Sequence, residues 1–583
     1  MRKIADCLFW VLIIAFTLIG CDGRWPTQPP PRARTEPAPS QADPFSRSHG
    51  DARAVASALA DWLPAELRKK QVPGAAVAVV DSNGVAWQAQ YGVIDDESPA
   101  VNPETVFCIR SISKSVTALG VLFAVQQGLV DLDEPISRYL PEFTVHSLFD
   151  KQPADKITLR KMLCHWAGFT HDPPPGLDLS QPDYFQTYIR RISETWLRFP
   201  VGYRHQYSNY GFDLATHILA RRSGRAFADY MREHVLLPLG MTHSTFDLHR
   251  VEKLENRAIG HTKDGDKTPV HLPEIAAAGL YASITDMARL AQFHLNRGVV
   301  DGKRLLDEAL MEESHGIQFA GAHQRTGYTL GLIREAVSKT YALYHEGDGR
   351  GFGTHFLLYP ELKLAVVLLT NREYHGLTGF SHRRLVNDII VDRHGPTPVA
   401  APNVDDSQRI SPHDSRIEAV IGRYGDNPGW RIESTEIGLQ MITGPETAFD
   451  LTFYDDRGQL VGLYGKTNEV RVLPGYADRK GSLMQIDRKV SNDNYHYLDF
   501  NDSPADPPGP AKPHWQQYVG RYDVLFENIV YWSTSVEIRN GYLYFNDGKC
   551  QEYEQGLFFR YDGEIVDFRR EPPVFANQIL RRK

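Results

Sequence analysis

Cysteine is scarce. There are five in 583 residues (positions 7, 21, 108, 164 and 550), too few and too scattered for a disulfide framework. An excess of positive charge is also missing. Lys and Arg number 64 against 72 Asp and Glu, for a formal net charge of −8, so nucleic acid is not an expected partner. The one strongly apolar run near the N-terminus, Leu8 to Ile19, is shorter than the roughly 20 residues of a membrane-spanning helix, and no later run is long enough. The 22 histidines include no His-Glu-x-x-His or comparable cluster, so no metal is expected, and no cofactor. What is present is ample core material: 42% hydrophobic and 11% aromatic residues against 23% charged, which excludes wholesale disorder. At roughly 100–200 residues per domain, the length allows about three to five domains, or one large domain with appendages.

The first residues read as a leader. Met1-Arg2-Lys3 is basic, the apolar run follows, and Gly20-Cys21 closes it. The ending Leu18-Ile19-Gly20-Cys21 resembles the lipobox of bacterial lipoproteins, which are cut before a cysteine whose thiol carries a diacylglycerol. That resemblance implies a signal peptide at 1–20, lipidation at Cys21 and anchoring in a bacterial membrane, facing the periplasm or the cell exterior. Acyl chains contribute roughly 0.8 kcal/mol per buried CH₂, so multiple acylation anchors stably. Residues 25–44 hold seven prolines and cannot bury enough apolar surface to fold. Residues 21–52 are therefore expected to be an extended tether.

Beyond the tether, 54–70 has helical periodicity, with Val55, Leu59, Trp62, Leu63 and Leu67 on one side. Ala75 to Val80, the turn Asp81-Ser82-Asn83-Gly84 and Val85 to Tyr91 predict a hairpin. Residues 115–235 look mostly helical. Strand signals return at Tyr341 to His345, His355 to Tyr359 and Leu364 to Thr370, and a helix is expected over 380–392. Strands at both ends with helices between predict one α/β body over 53–394. Prolines at 396, 398, 402 and 412 mark a linker, 395–412. The remainder is β-like and weakly repeated. Ile421-Gly422-Arg423-Tyr424 is matched 98 residues later by Val519-Gly520-Arg521-Tyr522, each after a proline-rich break. Two β-modules, 413–502 and 514–583, are expected around a second linker at 503–513, as barrels or one split barrel.

Three short motifs carry chemistry. In Ser111-Ile112-Ser113-Lys114 the two end residues lie three apart at the start of a helical segment, so they share a face. A serine hydroxyl is a weak nucleophile that needs a neighbouring base, and a lysine kept partly neutral by burial can serve. Tyr207-Ser208-Asn209 follows 96 residues after Ser111. A tyrosine beside cations can act as general acid or base. His345-Glu346-Gly347 ends a strand and enters the run Gly347-Asp348-Gly349-Arg350-Gly351-Phe352-Gly353, where a backbone can approach a ligand closely. Phe352 breaks the spacing of dinucleotide-binding loops. Cys108 and Cys164 fit no metal-ligand spacing and read as packed apolar groups. His165 and His171 read as structural or rim residues.

In this order the motifs resemble those of the serine β-lactamase and penicillin-binding family, in its class C, DD-peptidase, D-aminopeptidase and esterase branch. The resemblance spans roughly 54–392 and includes Val72-Pro73-Gly74-Ala75, Ile157-Thr158-Leu159-Arg160 through His165-Trp166-Ala167-Gly168, and Ala277-Ala278-Gly279-Leu280-Tyr281. It implies a three-layer α/β body, an antiparallel sheet with helices on both faces plus a mostly helical subdomain. The two C-terminal modules resemble lipocalin-like barrels, as a stabilising or partner-binding appendage or as a substrate gate. It implies that Ser111 is acylated, that Lys114 and Tyr207 share the proton transfers, and that Asn209 holds the substrate amide and Lys114. His345 stands where lactamases of this branch commonly carry lysine, and the N–H groups of Ser111 and of Asp348, just after Gly347, would form the oxyanion hole. An imidazole at 345 would make the site's charge depend on pH near neutrality. Glu346 would repel a substrate carboxylate if it faced the pocket, and strand alternation offers the opposite orientation. The implied activity is that of a serine hydrolase on a small or short-peptide substrate, first a peptidase or amidase on D-amino-acid derivatives, then a carboxylesterase or β-lactamase. The rival class is a catalytically silent penicillin-binding sensor or scaffold.

Overall fold

The computed structural model describes residues 47, 50–95, 99–172, 184–203, 205–270, 275–319, 326–377, 381–397, 409–418, 421–424, 430–436, 438–444, 447–456, 459–464, 468–473, 483–490, 493–502, 510–526, 529–539, 541–560 and 563–583. The expected leader, Cys21 and nearly all of the tether lie outside these residues.

Seven antiparallel strands form the central sheet: β1 (Gly74–Asp81), β2 (Gly84–Gly92), β3 (Gly327–Tyr328), β4 (Ile333–Val337), β5 (Thr340–Gly349), β6 (Phe352–Tyr359) and β7 (Leu364–Thr370). Their spatial order is β2-β1-β7-β6-β5-β4-β3. The N-terminal hairpin thus closes one edge and joins the C-terminal strands through β1–β7, Ala75 opposite Thr370. The turn between β1 and β2 is fixed locally, by Asp81 Oδ1 accepting the Asn83 N–H at 2.7 Å.

β6 and β7 are buried along their whole length, and β1 up to its last residue, so their apolar runs do not alternate in polarity. Alternation instead sends successive side chains into two different cores. Ala76, Ala78, Phe356, Leu358, Val367 and Leu369 join the larger core with helices α2 (Ser113–Gln126), α3 (Asn209–Ser223) and α4 (Ile284–Leu295). Ala75, Val77, Leu357, Tyr359, Val366 and Leu368 join the smaller one with the amphipathic helix Gly50–Lys69 and with α5 (His382–His394). The three-layer arrangement is the one expected. In α2 every residue from Ser113 to Ala124 is buried, so it is a central helix surrounded on all sides. Gly120 allows that packing, since a Cβ there would lie 2.4 Å from Met231 Sδ.

Beyond the body, two eight-stranded antiparallel barrels close on themselves, from Gly422–Tyr424 to Asp493–Asp502 and from Gly520–Phe526 to Gln578–Arg582. The repeated Gly-Arg-Tyr opens the first strand of each, and both copies pair with the barrel's last strand, Arg423 with Asp502 and Tyr522 with Arg582. Closure removes sheet edges that would otherwise invite pairing with other chains. The second barrel is filled by Tyr522, Val524, Val536, Leu543, Phe545, Phe558 and Val566 and capped by Trp515.

Candidate active site

Ser111 sits in a single 3₁₀ turn, Arg110–Ile112, that runs straight into α2. Arg110 enters the turn with φ +50°, in the left-handed region that non-glycine residues rarely adopt. The turn is pinned from outside. Ser113 Oγ donates to the Arg110 carbonyl at 2.6 Å and accepts the Leu280 N–H at 3.0 Å, while the Ile109 N–H donates to the Leu280 carbonyl. One helical step on, Lys114 is fully buried, and its Nζ lies 3.3 Å from Ser111 Oγ and 2.9 Å from the Ala277 carbonyl. The Ala276–Leu280 segment is therefore the backbone wall against which the nucleophile turn is set. Asp213 on α3 fixes that wall, accepting the N–H groups of Ala276 and Ala277 at 3.0 and 3.3 Å.

Tyr207 is half-buried, and Lys114 Nζ lies 4.8 Å from its ring centroid. Lys114 Nζ thus lies against both Ser111 Oγ and the Tyr207 ring. The Tyr207 motif is framed by the loop after helix Leu159–Leu163. His165, with φ +65°, accepts the Ser208 N–H on Nδ1 at 3.0 Å and the Gln206 N–H on its carbonyl at 2.7 Å. Its ring centroid lies 4.2 Å from that of Tyr207. Desolvation, with nearby cations, holds His165 far below its usual titration range. It is a neutral structural group, as expected, rather than a ligand.

Asn209 departs from one half of its implied role, the contact with Lys114. Its Nδ2 donates to Asp172 Oδ1 at 2.9 Å, its backbone N–H to the His171 carbonyl at 2.8 Å, and its Oδ1 is buried without a hydrogen-bond partner, so it does not hold Lys114. The sequence carried no sign that Asp172 would intercept this amide.

β5 supplies the third motif. Gly347 is required for its approach to the nucleophile turn: a Cβ there would lie 2.3 Å from the Ile109 carbonyl oxygen and 2.9 Å from Arg110 Cβ. Thr354 Oγ1, opposite in β6, donates to the Ile109 carbonyl at 2.8 Å and ties the two segments together. Asp348 follows Gly347 at an exposed position, its carboxylate turned back to accept the N–H groups of Gly349 and Tyr374 at 2.8 and 2.7 Å.

His345 corrects an expectation. It is buried, and both ring nitrogens are engaged: Nδ1 lies 2.7 Å from the Glu346 carbonyl, and Nε2 2.7 Å from the Tyr328 hydroxyl. That pairing assigns the proton to Nδ1 and the acceptor role to Nε2. Desolvation, then the charge of Lys114, pulls its pKa down to about 3. The imidazole is therefore neutral across the physiological range and does not titrate near pH 7. Tyr328, from the two-residue strand β3, went unread because nothing local marks it. Glu346 faces the other way. It lies opposite His355 in the β5–β6 register, half-exposed, with Oε1 3.8 Å from Arg383 Nε on α5. Strand alternation has removed it from the pocket. Cys108 and Cys164 are free and buried, and desolvation raises both thiols, as suits packed apolar groups.

A family model described as Beta-lactamase matches residues 52–389. The chain is 28% identical over 355 residues to a beta-lactamase of Yersinia enterocolitica, covering 55% of this chain and 87% of that protein. It is 25% identical over 315 residues to protein flp of Staphylococcus aureus, covering 52% of this chain and 61% of flp. The match to flp therefore spans about three-fifths of flp's length. A solved structure of SurE aligns with a TM-score of 0.51 at 23% identity, covering 75% of this chain and 98% of that one, which is a likeness of fold.

Proposed function

The chain belongs to the beta-lactamase family, and on that premise we propose that it is a serine hydrolase working through an acyl-enzyme on Ser111, acting as a peptidase or amidase on D-amino-acid-containing peptides or amides. The observation that carries the reading is the Ser111 Oγ–Lys114 Nζ approach of 3.3 Å with the Tyr207 ring alongside. Ser111 Oγ attacks the substrate carbonyl carbon as its proton passes to the Lys114–Tyr207 pair. The developing oxyanion is received by the N–H groups of Ser111 and Asp348. The same pair returns the proton to the departing amine, and water then attacks the ester to release acid and regenerate Ser111.

His345 ranks the substrates. Where lactamases of this branch commonly place lysine, this chain has a neutral imidazole with both nitrogens occupied. It offers no charge to a substrate carboxylate, which favours amides and esters lacking one. Glu346, turned away, plays no part in that preference. The lipobox-like ending at Cys21 supports tethering to a membrane, where the catalytic body would act on exported substrates.

Steady-state hydrolysis of a D-alanyl anilide, an acyl-D-Ala-D-Ala peptide and a chromogenic cephalosporin tests the ranking. The anilide should be cleaved with the highest kcat/KM, and Ser111→Ala should abolish it. Faster cleavage of either carboxylate-bearing substrate contradicts the preference.

A further inference from the structure

The second barrel is docked on the body where a wall of the site is made. Glu564, just ahead of the barrel strand Ile565–Asp567, lies with its carboxylate oxygens 3.0 and 2.9 Å from Thr170 Oγ1 and with Oε1 3.0 Å from Arg198 Nη1. The two charged side chains are nearly buried, 10% and 6% exposed. Gly563 beside it has φ +87°, and a Cβ there would lie 2.9 Å from the Arg198 carbonyl oxygen, so Gly563 sits directly on the 198–199 backbone. Two residues beyond Thr170, Asn577 at the tip of the barrel's last hairpin donates through Nδ2 to the Asp172 carbonyl at 3.2 Å. Asp172 then uses its carboxylate to hold the Asn209 amide.

Simple attachment does not call for these contacts. An apolar patch already joins the two parts, Leu557, Phe559 and Ile565 packing against Leu148 and Trp196. A buried carboxylate is costly to desolvate and is tolerated where its geometry is used. Here Glu564 and Asn577 grip the two ends of the three residues 170–172. Asp172 also lies in the field of Lys114. Burial works against its charge, yet His171, Asn209 and Lys114 together hold its carboxyl below the usual range.

We propose that the second barrel is a positioning part of the active site, in which Glu564 and Asn577 fix residues 170–172 and, through Asp172, the Asn209 amide that meets the substrate. The proposal rests on the Ser111 hydrolase reading. Glu564 and Asn577 are positioning residues that act through Asp172 and do not touch the reacting atoms.

The test uses the full chain with Glu564→Gln, Asn577→Ala, Asn209→Ala and the Asn209→Ala/Asn577→Ala double variant. Two rates are read: Ser111 labelling by a small fluorophosphonate, which has no amide for Asn209 to hold, and kcat/KM on the D-alanyl anilide. Misplacing a substrate-orienting group by about 1 Å can cost up to about 100-fold. Glu564→Gln and Asn577→Ala should lose about 10-fold or more in kcat/KM, mostly through KM, while labelling stays within about 3-fold. Loss of folded protein alone would lower both rates together. Asn577→Ala should cost little in a chain already carrying Asn209→Ala, because coupled residues are not additive. Unchanged kcat/KM in both barrel variants overturns the proposal, as does full additivity with Asn209→Ala. An unlabelled wild type contradicts the Ser111 reading itself, a distinct failure. If Glu564→Gln disturbs the barrel, Asn577→Ala, which leaves the buried ion pair in place, carries the decision.

Discussion

The two walls of the site are held in different ways. The nucleophile wall is held from within the body: Ser111 and Lys114 lie three residues apart, and the Ala276–Leu280 segment gives backbone partners to Lys114 and to Ser113 between them. The Tyr207–Asn209 wall is held at second hand, by His165, His171 and Asp172, and the second barrel grips this stretch at Thr170 and Asp172. The nucleophile and its lysine open a helix buried on all sides, whereas Tyr207 and Asn209 sit at a loop–helix junction that a neighbouring module can adjust.

Substitutions on either wall can test this contrast. The largest loss, short of removing Ser111, should come from Tyr207→Phe on the loop-held wall. Removing a positioned acid–base group typically costs about 10²–10⁴-fold. The loss should fall on kcat, read from steady-state hydrolysis. Gly347→Ala, on the nucleophile side, should follow, at about 10²–10³-fold in kcat, the usual cost of losing one oxyanion donor. Its Cβ would collide with the Ile109 carbonyl and push β5 away from the nucleophile turn. Back on the loop-held wall, Arg198→Met leaves Glu564 buried without its guanidinium. Breaking a buried ion pair in this way costs about 3–5 kcal/mol. Here the cost should appear as local loosening: amide exchange should rise at 194–199, 557–560 and 563–565, while α2 stays protected.

The mildest expected effect concerns pH. Desolvation holds several buried histidines below their ordinary value of 6.5: His217 and His345 at about 3, His294 and His382 at about 4. The unfolded chain therefore binds more protons between pH 6.5 and about 3. Their contribution to stability is fully present above pH 6.5 and is lost as the pH falls toward the folded values. The melting temperature should decline as the pH is lowered through this window. The rate profile should show no inflection from His345 near pH 6.5, and its Nδ1–H tautomer should persist in ¹H–¹⁵N spectra at pH 5.

Local features were legible in the sequence. The β1–β2 hairpin follows from its Asp-Ser-Asn-Gly turn, the convergence of Ser111 and Lys114 from a three-residue helical spacing, and the twin barrels from a Gly-Arg-Tyr repeat. The opposite orientations of His345 and Glu346 follow from strand alternation, which had left both options open. Long-range partners were not legible. Tyr328 caps His345 from a two-residue strand without a motif. Glu564 and Asn577 reach residues 394 and 405 positions away, distances over which no periodicity in sequence encodes a contact. The expected titration of His345 failed for the same reason, since desolvation and Lys114 belong to the folded surroundings and not to the His-Glu-Gly motif.

The hydrolase reading stands on Ser111 being an activated nucleophile. Intact-mass analysis of the protein with Cys21 removed, after exposure to a fluorophosphonate, measures that in one step. One covalent adduct is expected, mapped by peptide sequencing to Ser111 and absent in Ser111→Ala. A folded wild type that stays unmodified, or an adduct on another residue, would contradict it.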